Sequence, residues 1–207
     1  MDQSTKEHVV NLHSTDAESR YASFHYLMKL TQQPVAWAYD AWDGQLALVR
    51  EGDNHQRAIA AQLLSSLARS DPQERMLRDL DRFMAVTEDE RPVTARHPFQ
   101  SVWKVGATSK ALQKKAVDHL DRRFQECAIE KNATLIRYDI QEVFRKLYDA
   151  VLGEKFKQHA LPRLETEENS KYPKKYSSIW KNLVKSATIR EGPAHPAQYV
   201  PTLMTPN

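Results

Sequence analysis

Glycine is scarce, with five in 207 residues, and cysteine is nearly absent, with Cys127 the only one. So little glycine argues against the many tight turns of a β-rich architecture. A lone cysteine excludes an internal disulfide and a cysteine-rich metal cage. Cys127 sits in the apolar periodicity of "FQECAI" and reads as a small buried hydrophobe. An excess of one charge is also missing: 30 basic residues face 27 acidic ones, leaving +3, far below the excess of a dedicated nucleic-acid binder. No apolar run approaches the ~18–20 residues of a membrane span. The N-terminus "MDQSTKEHVV" lacks the basic start and apolar centre of a signal peptide, so the expected location is the cytoplasm. Catalytic patterns are missing too. The eight histidines are scattered, with no pair at zinc-ligand spacing on one helix. There is no phosphate-cradling glycine loop, no nucleophile elbow and no pair of carboxylates isolated in apolar surroundings. A non-enzymatic protein without metal or cofactor is expected.

What is present is almost wholly helical, rich in Ala, Leu, Glu, Lys, Arg and Gln. Thr15 with Glu18 forms a capping box opening a helix to about Gln32. Pro34 suits the first turn of the next helix, where Val35, Tyr39, Trp42, Leu46 and Val49 make one stripe at helical spacing. Gly52 and Asp53 separate it from a helix reaching about Ala68. "SDP" at 70–72 starts another, with Met76, Leu77, Leu80, Phe83 and Met84 inward. A helix from Pro92 ends near Gly106. Ser109 caps a long one with Leu112, Ala116, Val117, Leu120, Phe124 and Cys127 inward. Asn132 caps the next, which stops at Gly153. A further helix covers 154–160 until Pro162 interrupts it. From Gly192 the chain carries four prolines and little periodicity, the pattern of an extended or disordered tail.

Four segments of this chain say nearly the same thing. "RYASFHYLMKL" (20–30), "RAIAAQLLSSL" (57–67), "RHPFQSVWKVG" (96–106) and "RYDIQEVFRKL" (137–147) each begin with arginine. Seven residues on comes Leu27, Leu64, Trp103 or Phe144, and three further on Leu30, Leu67, Gly106 or Leu147. Arg20, Arg57, Arg96 and Arg137 are 37, 39 and 41 residues apart, room for one helix, a turn and a returning helix. Helix pairs at such a period predict an α-solenoid, in which each pair presents the same apolar ridges to its neighbours.

The pattern resembles the bacterial type of HEAT repeat, with an aspartate cap, an arginine four residues on, an alanine-rich turn, and two leucines. "DNHQRAIAAQLLSSL" carries Asp53, Arg57, Ala60, Ala61, Leu64 and Leu67; "DAESRYASFHYLMKL" carries Asp16, Arg20, Leu27 and Leu30. The later copies depart: Pro92 replaces the aspartate and Pro98 enters the turn in the third, and Ala133 holds the cap position in the fourth, with Asn132 one residue earlier. The resemblance spans about 15–160. It implies an all-α, right-handed solenoid of about four helix pairs, preceded by a lead-in at 1–14 and followed by a capping segment at 161–190 and a loose tail at 191–207. The architecture hosts scaffolds, adaptors and a few enzymes; the function expected here is a scaffold or adaptor that binds another protein on its concave face, and the lyase activity of some bacterial HEAT-like proteins rests on family company alone.

Candidate binding residues fall in two groups. The returning helices, expected to line the concave face, carry Arg75, Arg78 and Arg82, then Lys114, Lys115, Arg122 and Arg123. Spacings of three, four and seven put parts of each group on one helical face, suited to an acidic segment or to phosphates. Glu74, Asp79, Asp81, Asp118 and Asp121 are interleaved, as on an ordinary solvated surface. The second group is "KYPKKYSSIWKNLVKSATIR" (171–190), with Lys171, Tyr172, Lys174, Lys175, Tyr176, Trp180 and Lys181 and no acid. An aromatic step of four among lysines suits nucleic acid or an acidic lipid surface; equally, Tyr176, Ile179, Trp180 and Leu183 suit a helix covering the last repeat. The cap is favoured. Trp42 and Trp103 fall on apolar stripes and read as core, while Trp37 lies off the stripe. The cluster "WAYDAWD" (37–43) bears a loose likeness to the aromatic and aspartate sites of HEAT-like DNA alkylation-repair glycosylases, with no matching motif. A protein or peptide of acidic character is the expected partner, with nucleic acid the alternative.

Overall fold

The computed structural model describes residues 1–164 and 172–180. Among these there are ten α-helices and no strand: α1 Gln3–Asn11, α2 Ala17–Leu30, α3 Ala38–Glu51, α4 Asn54–Leu67, α5 Arg75–Met84, α6 Pro92–Gly106, α7 Lys110–Glu126, α8 Ala133–Val151, α9 Glu154–Leu164 and α10 Tyr172–Trp180. The expected tail at 191–207 lies outside the described residues.

Local chemistry explains the boundaries, including those that differ from expectation. The lead-in carries α1, capped by the Asp2 carboxylate on the Thr5 N–H at 2.9 Å. Asp16, not Thr15, caps α2 by accepting from Ser19 N at 2.8 Å. Asp53 and Gln56 form a reciprocal capping box at α4, satisfying donors that a helix start leaves open. Pro34 stands four residues ahead of α3, where the Val35 N–H bonds Ser70 Oγ at 2.9 Å. α5 begins at Arg75, after the expected "SDP", because Asp71 reaches forward to the N–H groups of Arg75 and Met76 at 2.9 and 2.6 Å. α9 continues past Pro162 to Leu164. That proline is exposed and lies in the last turn, so the one i→i−4 hydrogen bond it removes is near the helix end and the helix stops two residues later.

The helices meet in two tiers. α2 touches α4, α4 touches α6, and α6 touches α8; on the other side α3 touches α5 and α5 touches α7. α10 rests on α8 and α9, and α1 on α2. One contiguous apolar cluster runs from Leu12 through Trp42, Leu64, Phe83, Phe99 and Phe144 to Trp180. The repeated ridge positions fill it: Leu27, Leu64, Phe144, Leu67 and Leu147 are fully buried, and Trp103 and Leu30 are partly buried.

The recurring arginines explain a second part of the repetition. Arg57 donates from Nε to Asp89 Oδ2 at 2.6 Å, and Arg96 binds both oxygens of Asp139 at 2.7 and 2.9 Å. Arg20 lies 3.8 Å from Asp53 and donates to the Ser14 carbonyl at 2.8 Å. In these three cases the arginine near the start of one helix reaches an acid at or near the next helix of the same tier. Arg137 stacks its guanidinium 4.9 Å from the Phe124 ring centre.

Candidate functional site

The basic residues of α5 and α7 are largely neutralised by their neighbours. Arg75 is paired with Asp43 and Asp79 and lies 5.6 Å from the Trp42 ring centre. Arg82 reaches Asp79 at 3.4 Å. Lys114 bonds Asp118 at 2.7 Å, and Lys115 bonds Asp81 at 3.0 Å and the Leu77 carbonyl at 3.1 Å. Arg122 lies 3.9 Å from Glu126 and donates to His119 Nδ1 at 2.8 Å. Arg123 is buried and clamps Glu130 through both terminal nitrogens, and this hydrogen bond holds Glu130 below the ordinary carboxylate range. Arg78 is exposed with no ion-pair partner among the described residues. Interleaved acids thus pair with four of the seven cations, Glu126 and Glu130 take two more, and this face presents little net charge to a ligand.

In the C-terminal segment the aromatic step turns inward. Tyr176 is fully buried, with its hydroxyl donating to the Thr134 carbonyl at 3.2 Å. Trp180 is 5% exposed, donates from its indole to Gln141 Oε1 at 3.3 Å, and meets Tyr148 edge to face. Gln141 in turn donates to the Ala160 carbonyl at 3.2 Å, so α8, α9 and α10 share one buried polar link. Lys175 is exposed. Tyr172 and Lys174 fall in the first turn of α10, and Lys171 and Lys181 lie outside the described residues. Two of the aromatics proposed for stacking on bases are therefore packed on α8.

The "WAYDAWD" cluster is likewise structural. Trp37 and Trp42 belong to the core, and the Trp42 indole donates to Asp79 at 3.0 Å. Asp43 pairs with Arg75, and Asp40 lies 3.5 Å from the N-terminal amine. Cys127 is fully buried and burial pushes its thiol up, away from the reactive thiolate. Among the described residues no group of three or more His, Cys, Asp or Glu is arranged to hold a metal ion, and no helix is long and apolar enough to cross a membrane.

One surface stands apart, and sequence reasoning missed it. Arg69 follows α4, Lys104 lies in the last turn of α6, and Lys146 is on α8. None has a carboxylate partner among the described residues. Arg69 bonds the Gln32 carbonyl, Lys104 bonds Ser66 Oγ at 2.9 Å, and Lys146 reaches the Gln100 carbonyl at 3.4 Å. Burial pushes the Lys104 ammonium down, and the charges of Arg69 and Lys146 push it further. Beside them a recess of about 370 Å³ is lined by Pro34, Arg69, Trp103, Lys104, Ala107 and Thr108. Such an arrangement can bind an anion next to an apolar wall. The available signal in the sequence was that Arg69 and Lys104 have no acid three or four residues away.

No family model, no curated protein and no solved structure matches the chain.

Proposed function

We propose that the chain is a HEAT-like, right-handed α-solenoid that acts without catalysis, as a scaffold or adaptor binding an acidic part of another polypeptide. The observation that carries this reading is the surface of Arg69, Lys104 and Lys146, three cations from one tier that no carboxylate of the described residues neutralises. Two further features support the solenoid. Successive helices of each tier touch, and an arginine-to-acid link recurs along α2, α4, α6 and α8.

α4, α6 and α8 pack on one another along much of their length, whereas α3, α5 and α7 meet over shorter stretches. Tighter packing in one tier supports a curve with that tier inside. The concave face would then belong to the arginine-bearing helices, not to α5 and α7 as the sequence suggested. Nucleic acid fits less well, because six of the seven cations on α5 and α7 are paired and Tyr176 and Trp180 are buried.

Capture from a native lysate, divided into nuclease-treated and untreated halves, tests the reading. Polypeptide partners retained in both halves and released by about 0.5 M salt support it. Partners present only in the untreated half would transfer the function to nucleic acid.

A further inference from the structure

We infer that Arg69, Lys104, Lys146 and the recess beside Trp103 form a groove for an extended acidic segment of a partner polypeptide, with one bulky apolar side chain of that segment seated in the recess. The inference rests on the scaffold reading and adds the chemistry of the occupant. Like charges on three adjacent elements repel one another unless an anion lies among them. Elsewhere on this chain the carboxylates do that work, as Asp79, Asp81 and Asp118 do on α5 and α7. At this groove none of the three cations is ion-paired with a carboxylate of the described residues, Asp71 and Glu74 lying with Arg69 around a neighbouring recess, so the groove keeps positive charge for an anion from outside.

The donors are available as well as the charge. An ammonium offers three N–H groups and a guanidinium five. Lys104 uses one on Ser66, Lys146 makes one long bond to Gln100, and Arg69 is exposed with one nitrogen on Gln32. The Trp103 indole N–H has no acceptor among the described residues, and Trp103 packs its other surface on the core. An apolar wall of Pro34, Trp103 and Ala107 next to two cations suits a large apolar side chain flanked by carboxylates.

Geometry favours an extended peptide. Neighbouring packed helices lie about 8–10 Å apart, so cations on three of them span roughly 16–20 Å. Alternate side chains of an extended chain fall about 6.5–7 Å apart on one side, and some six residues cover that span. Nucleic acid would engage only about three phosphates here, for a salt slope near −2 to −3, well short of the 6–10 contacts typical of a stable complex.

The test uses the whole protein and a fluorescein-labelled peptide of about twelve residues, Glu-rich with a single central Phe, read by anisotropy. Comparison probes are the same peptide with Gln for Glu, the Glu peptide with Ala for Phe, and an oligothymidine of similar length. The Glu peptide should bind at least about tenfold more tightly than the Gln version, a difference of about 1.4 kcal/mol, and more tightly than the Ala version or the oligothymidine. Lys104→Glu with Lys146→Glu should remove about tenfold or more of that affinity, and Lys114→Glu with Lys115→Glu should leave it within about twofold. Because Lys104 is half-buried, Arg69→Glu at an exposed position provides an independent variant with the same expected loss. Equal binding of the Glu and Gln peptides overturns the groove, as does affinity untouched by Arg69→Glu. Tighter oligothymidine binding lost in the same variants overturns it in favour of nucleic acid. If the lysate partners persist with Arg69→Glu while the peptide fails, the scaffold reading survives and the groove does not.

Discussion

Arg96 on α6 holds Asp139 on α8 by two parallel hydrogen bonds, and the Asp139 side chain is fully buried while Arg96 stays 37% exposed. The guanidinium thus serves as the counter-charge of an acid that has no access to water. Removing it strands the acid.

Arg96→Ala should therefore destabilise the protein by on the order of 3 kcal/mol, since an uncompensated buried charge is what makes such deletions expensive. Adding Asp139→Ala should recover part of the loss. Arg50→Ala, at an exposed pair with Glu51, should change stability by less than about 0.5 kcal/mol. Urea melts measure all three, and similar small losses for Arg96→Ala and Arg50→Ala would show that the inter-helix link contributes nothing.

Trp180 separates a packed C-terminal helix from a free arm. Its indole is buried on α8 and tied to Gln141, so Trp180→Ala should cost about 3–5 kcal/mol. Ending the chain before residue 171 should lower the melting temperature for the same reason. A truncated protein as stable as the full chain would mean that the segment is an arm, and its lysines would become the leading binding site.

Stability should fall as pH drops below about 6.5, before most carboxylates titrate. Burial, then the charge of Arg122, holds the His119 imidazole below its ordinary value, with Glu88, Asp81 and Glu126 opposing weakly. Burial, then Arg96 and His55, does the same to His97. The unfolded chain then binds more protons in this range than the folded one, and acid favours unfolding. Protonation of His119 would also displace the hydrogen bond that Arg122 donates to Nδ1. Urea midpoints at about pH 7.5 and 5.5 should differ in the unaltered protein and differ less with His97→Gln and His119→Gln combined. An identical pH response in that variant would locate the acid sensitivity elsewhere.

Much of the helical pattern was legible because it is local. Ser109 caps α7 as expected, through the Leu112 N–H at 3.2 Å, and the six residues expected inward there are all buried. Features set by distant neighbours were not legible. Gly106 looks like a defect where the other copies have leucine; in the structure a Cβ there would stand 2.9 Å from Leu147 on α8. The missing side chain makes room for the ridge of the following copy. Asp71 caps α5 from four and five residues away, a reach that no short capping motif encodes. The paired state of α5 and α7 was foreshadowed by their interleaved acids. The cluster of Arg69, Lys104 and Lys146 was not, because its members are 35 and 42 residues apart and only the stacking of α4, α6 and α8 assembles them.

The polypeptide-binding reading is tested most directly by titrating the whole protein with labelled single-stranded and duplex oligonucleotides across a range of salt. Three cations without carboxylate partners predict weak binding at low salt, a slope of log affinity on log salt near −2 to −3, and no measurable complex at ~150 mM. Sub-micromolar affinity for either form at ~150 mM salt would contradict the reading and make nucleic acid the partner.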